Sequence, residues 1–126
     1  MKLLDENGKE VNVAFNRSAN PIREKSRSKF QKEIYVYLKE VFPNAVILEE
    51  WRIPRSRLSF DFFIPEIDLL IECQGEQHRK FIPFFHKTIG GFVDQKRRDK
   101  RKKDWAELNE LELISIYNIK ELKEKM

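Results

Sequence analysis

The chain carries a single cysteine, Cys73, in 126 residues. One thiol cannot close an intramolecular disulfide or assemble a cysteine zinc site, which excludes a secreted, disulfide-stapled scaffold. No apolar run approaches the roughly 18 residues that a membrane span requires. The opening Met1-Lys2-Leu3-Leu4-Asp5 lacks a signal-peptide core. Internal repeats and low-complexity tracts are also missing. These absences lead us to expect a soluble, cytoplasmic protein with no membrane partner, and the length fits one compact unit.

What is present is charge and aromatic mass. Hydrophobic residues make up 40% of the chain, enough for a core, and charged residues 37%, more than an ordinary globular domain carries. Ten phenylalanines lift the aromatic share to 12%, which argues against disorder. The formal charge of +4 hides an asymmetry: residues 96–103 hold seven bases and one acid. Arg23, Lys25, Arg27, Lys29 and Lys32 form a second basic stretch, and Arg52, Arg55 and Arg57 a third. Clustered positive charge is the footprint of a polyanion partner, because phosphate contacts dominate nucleic-acid affinity. A solvated helix face is the plainer account of any one run. The 96–103 run has no apolar stripe beside it, which disfavours a membrane surface.

Residues 1–27 read as an arm or loosely attached short hairpin, with a turn at Asn7-Gly8 and a strand near Val11-Asn12-Val13. Residues 28–126 form the domain proper. Phe30, Ile34, Tyr37, Leu38 and Val41 recur at helical spacing after Ser28, and Pro43-Asn44 ends that helix. Strands follow from Ala45 towards Ile53, over Leu58–Ile64 and over Leu69–Gln74. An aromatic loop (Phe81, Phe84, Phe85) leads to a long helix from about Phe92 to Leu111, then a strand at Leu113–Tyr117 and a short helix. The order is αβββαβ: an α/β fold with a small mixed sheet flanked by helices.

The second and third strands carry the candidate chemistry. With a turn over Pro65–Asp68, Ile64 pairs with Leu69 and Asp61 falls opposite Glu72. Two acids facing each other among Phe, Leu and Ile repel unless a positive charge lies between them. A hard divalent cation is one such charge, and Arg57 or Arg98 is the structural alternative.

Asp61, then Glu72-Cys73-Gln74, resembles the acid-then-Glu-x-Lys core of the PD-(D/E)XK nucleases, with Gln74 in the lysine position. The wider stretch, Phe60 to Pro65 through Ile71 to His78, is similar to the branch of very-short-patch repair and phage homing endonucleases. Arg98-Asp99 on the long helix and the Leu113–Ile116 strand follow in that branch's order, so the resemblance spans residues 26–118. It implies a restriction-endonuclease-like fold and a phage-type DNA endonuclease acting in a bacterial or infected host cell. It also implies a Mg²⁺ ion, replaceable by Mn²⁺, on Asp61, Glu72 and the Cys73 carbonyl. It further implies His78 as the general base or a transition-state donor, with Asp99 supporting His78 or the metal. The branch has a Glu on the first helix; Gln31 stands at that position and Glu33 is the nearest acid. Arg55, Arg57, Lys96, Arg97, Arg98, Arg101 and Lys102 are expected against phosphates. A homodimer or an accessory specificity partner remains open, as do an RNA substrate and a non-catalytic nucleic-acid-binding module.

Overall fold

The computed structural model describes residues 1–14, 29–74 and 89–125. The domain core runs α1 (Lys29–Val41), β3 (Leu48–Arg52), β4 (Ser59–Ile64), β5 (Leu69–Cys73), α2 (Ile89–Leu108), β6 (Glu112–Ile116) and α3 (Ile119–Lys125), preceded by strands β1 (Lys2–Leu4) and β2 (Glu10–Asn12). The main sheet has the order β3-β4-β5-β6. Its first two pairings are antiparallel, and β5 with β6 is parallel, as a helical crossover requires. This is the small mixed α/β fold expected from the order of elements.

The β4–β5 register is the one the turn predicts: Phe62 opposite Ile71, Phe63 opposite Leu70, Ile64 opposite Leu69. Pro65–Ile67 forms one 3₁₀ turn, and Asp68 closes it in a left-handed conformation (φ 51°), donating its N–H to the Pro65 carbonyl at 3.2 Å. The sheet buries both faces. Leu48, Trp51, Phe60, Phe63 and Leu70 pack with Trp105 and Ala106 of α2. Phe62, Ile64, Ile71 and Ile116 pack with Ile34 and Leu38 of α1 and Leu122 of α3.

One irregularity bears on function. Side chains on the α2 face come three apart, not two: Leu48 and Trp51 on β3, Phe60 and Phe63 on β4. The alternation of a regular strand is therefore interrupted at Glu50, held left-handed at φ 47°, and at Asp61, which falls opposite it in the register.

Helix α2 stops at Leu108, short of the expected Leu111. Glu110 turns left-handed (φ 56°), its N–H donates to Glu107, and the Leu111 N–H reaches back to Ala106 at 2.9 Å. That pattern closes a helix and folds Leu111 under it as a buried contact.

The N-terminal strands pair as a short hairpin, one of the two forms expected, and the hairpin is docked on α2 rather than loosely attached. Leu3 is buried against Trp105, whose indole N–H donates to the Leu4 carbonyl at 2.7 Å. Asn109 brackets the same residue, accepting the Leu4 N–H and donating to its carbonyl. Arg55 pairs with Asp5 at 3.1 Å and Arg101 grips Glu6 through two hydrogen bonds. A three-residue strand pair has too little apolar area to stand alone, so docking on α2 supplies its stability. The rest of the arm, residues 15–27, lies outside the described residues.

The carboxylates of the hairpin turn should make the protein acid-sensitive. Backbone N–H groups of Lys9, then Asn7, and the Arg55 guanidinium hold the Asp5 carboxyl below its usual range against the effect of burial. Arg101 does the same for Glu6. A carboxylate with a depressed folded pKa contributes stability that is complete above its unfolded value, about pH 4, and is lost as pH falls through the folded value. Thermal melts from pH 6 down to pH 3 should show Asp5→Asn, which keeps the acceptor and drops the charge, losing less melting temperature than the parent. Equal losses would show that the hairpin contacts do not govern the acid response.

Candidate active site

The site forms where β4 and β5 part. Their ladder reaches Phe62–Ile71, after which β5 keeps its other partner through Glu72–Ser115 and Cys73–Ile116. At the next step, side chains replace the backbone pairing. Glu72 Oε1 accepts the Asp61 N–H at 3.2 Å, and Asp61 Oδ2 accepts the Cys73 N–H at 2.7 Å. Each acid thus satisfies a backbone donor that the separated strands leave, and both carboxylates are drawn to one place. Glu72 is 6% exposed, and Asp61 is half-buried.

Burial, and after it the neighbouring Asp61 charge, raise the Glu72 carboxyl to about 7. Working against them is Lys102, with Nζ 3.1 Å from Glu72 Oε2. Among the described residues the cation paired with Glu72 is therefore a lysine of α2, and Arg57 and Arg98 are both exposed. The Lys102 side chain is only 17% exposed and its ammonium lies 5.9 Å from the Phe60 ring centre. Lys102, expected to contact a phosphate, lies inward on α2 beside Glu72 rather than on the exposed face of the helix.

The helix phase explains this correction. Taking Trp105, Leu108 and Leu111 as the packing stripe turns Asp99 away from the sheet. In the structure Leu108 is 46% exposed, while Trp105 and Ala106 are buried. Measured from Ala106 at 100° per residue, Lys102 and Asp99 lie within about 40° of the inward direction. Half-buried Gln95, Asp99 and Lys102 form a polar extension of the apolar stripe. Asp99 and Lys102 line a cavity of about 250 Å³ together with Glu72, Gln74, Lys103 and Ser115.

Gln74 is buried and its side-chain amide donates to Ser115 Oγ at 3.2 Å. The Cys73 thiol packs beside the α1-side core and is pushed far up, first by burial and then by the charges of Asp61, Glu72 and Glu49, so it stays protonated. Glu49 is a residue the sequence reading overlooked. It is 6% exposed on β3, in register with Phe62. An acid between Leu48 and Trp51 was the available signal, of the same kind that singled out Asp61.

Other expected residues are placed elsewhere. Glu33 is exposed and lines a groove between α1 and α3 with Lys32, Tyr37 and Lys123, so it does not join the Glu72 cavity. Gln31, the other residue considered on that helix, is buried. Arg55 and Arg101, expected against phosphates, pair with Asp5 and Glu6 of the hairpin turn. Lys96, Arg97 and Arg98 are exposed, Arg97 lying 3.8 Å from Asp94. His78 and the aromatic loop 81–88 lie outside the described residues.

Asp61 and Glu72 offer oxygen donors of the kind that a hard divalent cation takes. Among the described residues no group of three or more His, Cys, Asp or Glu side chains is placed to hold a metal ion. Two carboxylates and a main-chain oxygen are what Mg²⁺ commonly takes from a protein, keeping waters and substrate phosphates for the rest.

Comparison with known proteins adds viral relatives. The chain is 38% identical over 66 residues to "Uncharacterized protein 307L" of Invertebrate iridescent virus 6. It is 36% identical over 66 residues to "Uncharacterized protein 033L" of Invertebrate iridescent virus 3. Each match covers 52% of this chain and 34% of the relative, so the chain spans about a third of the length of these relatives. No family model and no solved structure matches.

Proposed function

We propose that the protein is a metal-dependent nuclease acting on DNA. The observation that carries this reading is the meeting of Asp61 and Glu72 at the parting of β4 and β5, with the Lys102 ammonium on Glu72. Acids are rarely buried in mutual contact for stability alone, because repulsion and desolvation both oppose it. The exposed bases of α2, Lys96, Arg97 and Arg98 together with Lys100 and Lys103 at the cavity, fit a phosphate backbone.

Asp61 and Glu72, with the Cys73 carbonyl, would hold the Mg²⁺ that the first-noted resemblance implies. Such an ion lowers the pKa of water and offsets charge on a phosphate. The reaction is hydrolysis. A water oxygen bonds to phosphorus, and the bond from phosphorus to the leaving sugar oxygen breaks, its electron pair departing with that oxygen. The water gives up one proton, and the leaving oxygen gains one. The products are a phosphate monoester and a hydroxyl.

Purified protein incubated with supercoiled plasmid should yield nicked or linear DNA in Mg²⁺ or Mn²⁺ and none in EDTA. Binding without cutting under all metal conditions would replace the reading with a nucleic-acid-binding module. Cutting of RNA in preference to plasmid would move the substrate class. The outer bases should act on affinity alone. Replacing Arg98 with Ala should weaken plasmid binding and lower the slope of log affinity against log salt by about 1, with kcat unchanged. An unchanged salt slope would remove Arg98 from the interface.

A further inference from the structure

We infer that Lys102 is a catalytic residue of this site, the cation that contacts the phosphate under attack. This rests on the nuclease reading above and adds a residue to it. Of the seven bases in 96–103, six are exposed and Lys102 alone is drawn inwards, with its side chain 17% exposed. Burying a lysine costs both solvation and rotamer freedom, so its position needs a compensating partner. Glu72 supplies part of that compensation at 3.1 Å, and the stem runs beside Phe60.

Two features say that the lysine is aimed as well as neutralised. It sits three residues before Trp105, which is 2% exposed and wedged against Trp51 and Phe60, so the helix cannot turn the ammonium away without breaking the core. It also lines the cavity shared with Gln74 and Ser115 rather than being sealed behind Glu72. Gln74, at the strand position two residues after Glu72, offers an amide and no charge. A phosphate approaching Glu72 meets a negative group, and among the described residues Lys102 is the cation that both pairs with Glu72 and lines the cavity. A preorganised charge at that place stabilises the extra negative charge that phosphorus oxygens carry in the transition state.

The rival account is that Lys102 only neutralises buried Glu72. The two roles predict opposite results. A mere counter-ion competes with a divalent cation for Glu72, so its removal lowers the Mg²⁺ concentration needed and leaves kcat at or above the parent value. A group that stabilises the transition state lowers kcat when lost, with little change in substrate binding. Plasmid cleavage at saturating Mg²⁺ is measured for the parent, Asp61→Asn, Lys102→Arg, Lys102→Gln and Lys102→Met, with thermal melts of each.

We expect Lys102→Gln to lose about a hundredfold or more in kcat, with plasmid Kd within about threefold of the parent. Lys102→Arg, which keeps the charge, should retain at least about a tenth of the parent kcat. Lys102→Met keeps the stem against Phe60 and carries the same expectation as Lys102→Gln, should the amide not be tolerated. Parent-like kcat in either neutral variant, while Asp61→Asn is inactive, overturns the role of Lys102 and leaves the nuclease reading standing. A rise in Kd alone, with kcat kept, overturns it also, making Lys102 a simple binding contact. A parent that cuts no nucleic acid in Mg²⁺ or Mn²⁺ overturns both.

Discussion

Asp61→Asn should abolish cleavage and leave the fold at least as stable as the parent. The asparagine oxygen can still accept the Cys73 N–H that the aspartate holds at 2.7 Å. Its amide also turns a repulsive neighbour of Glu72 into one able to donate to it, so the Glu72 carboxyl should move back towards its ordinary range. The charge that would hold Mg²⁺ is gone. At about 1.4 kcal/mol per tenfold, losing a few kcal/mol of charge stabilisation lowers the cleavage rate by about a hundredfold or more. Melting temperature should stay level or rise by a few degrees.

Asp61→Ala is the poorer variant for this purpose, because it strands the Cys73 N–H at a cost of about 1–3 kcal/mol. It would confound lost function with lost stability. Nicking of supercoiled plasmid and differential scanning calorimetry on the same preparation separate the two. Undiminished cutting by Asp61→Asn would place the chemistry elsewhere. A lower melting temperature together with inactivity would mark Asp61 as a structural acid.

Trp105→Ala should produce the largest loss of stability. Trp105 is 2% exposed and contacts the rings of Trp51 and Phe60, with centres 5.7 Å away in each case. Its indole N–H also holds the hairpin through Leu4. Truncating a large buried aromatic costs about 3–5 kcal/mol in transfer and cavity terms. Set against a total of about 5–15 kcal/mol for a domain, that is a substantial fraction. The melting temperature should fall by roughly 10–20 °C at this chain length.

Leu108→Ala, one turn further along the same helix, should change stability by less than about 0.5 kcal/mol because Leu108 is 46% exposed. Urea titrations of the two variants check the contrast. Equal losses would mean that α2 packs through Leu108, which would also turn Lys102 and Asp99 away from the acids. The stability experiment therefore bears on the geometry of the site as well as on the core.

The two experiments probe different links. Trp105 sets the rotation of α2 over the sheet, and that rotation places Lys102 on Glu72. Asp61 sets the end of the β4–β5 ladder, and that end brings the carboxylates together. Loss of either link should empty the site of its chemistry, but only the first should be visible in a melt.

The sequence by itself determined the αβββαβ order, because apolar periodicity and the Pro65–Asp68 turn are local signals. It also determined the β4–β5 register, since a one-residue slip would put Phe62 and Ile71 on the wrong face. With the register came the Asp61–Glu72 meeting. The hairpin docking was not legible, because it depends on Trp105 and Asn109, about a hundred residues away in the chain. Nor was the cation of the site. Lys102 lies in a run of bases that look alike in sequence. Only the packing of Trp105 and Ala106 decides which side of α2 faces the sheet. Leu108 and Leu111 invited the wrong phase, and the chain reversal at Glu110 is what takes Leu111 out of the helix. Helix rotation is a property of tertiary packing, and a run of bases carries no apolar mark by which to read it.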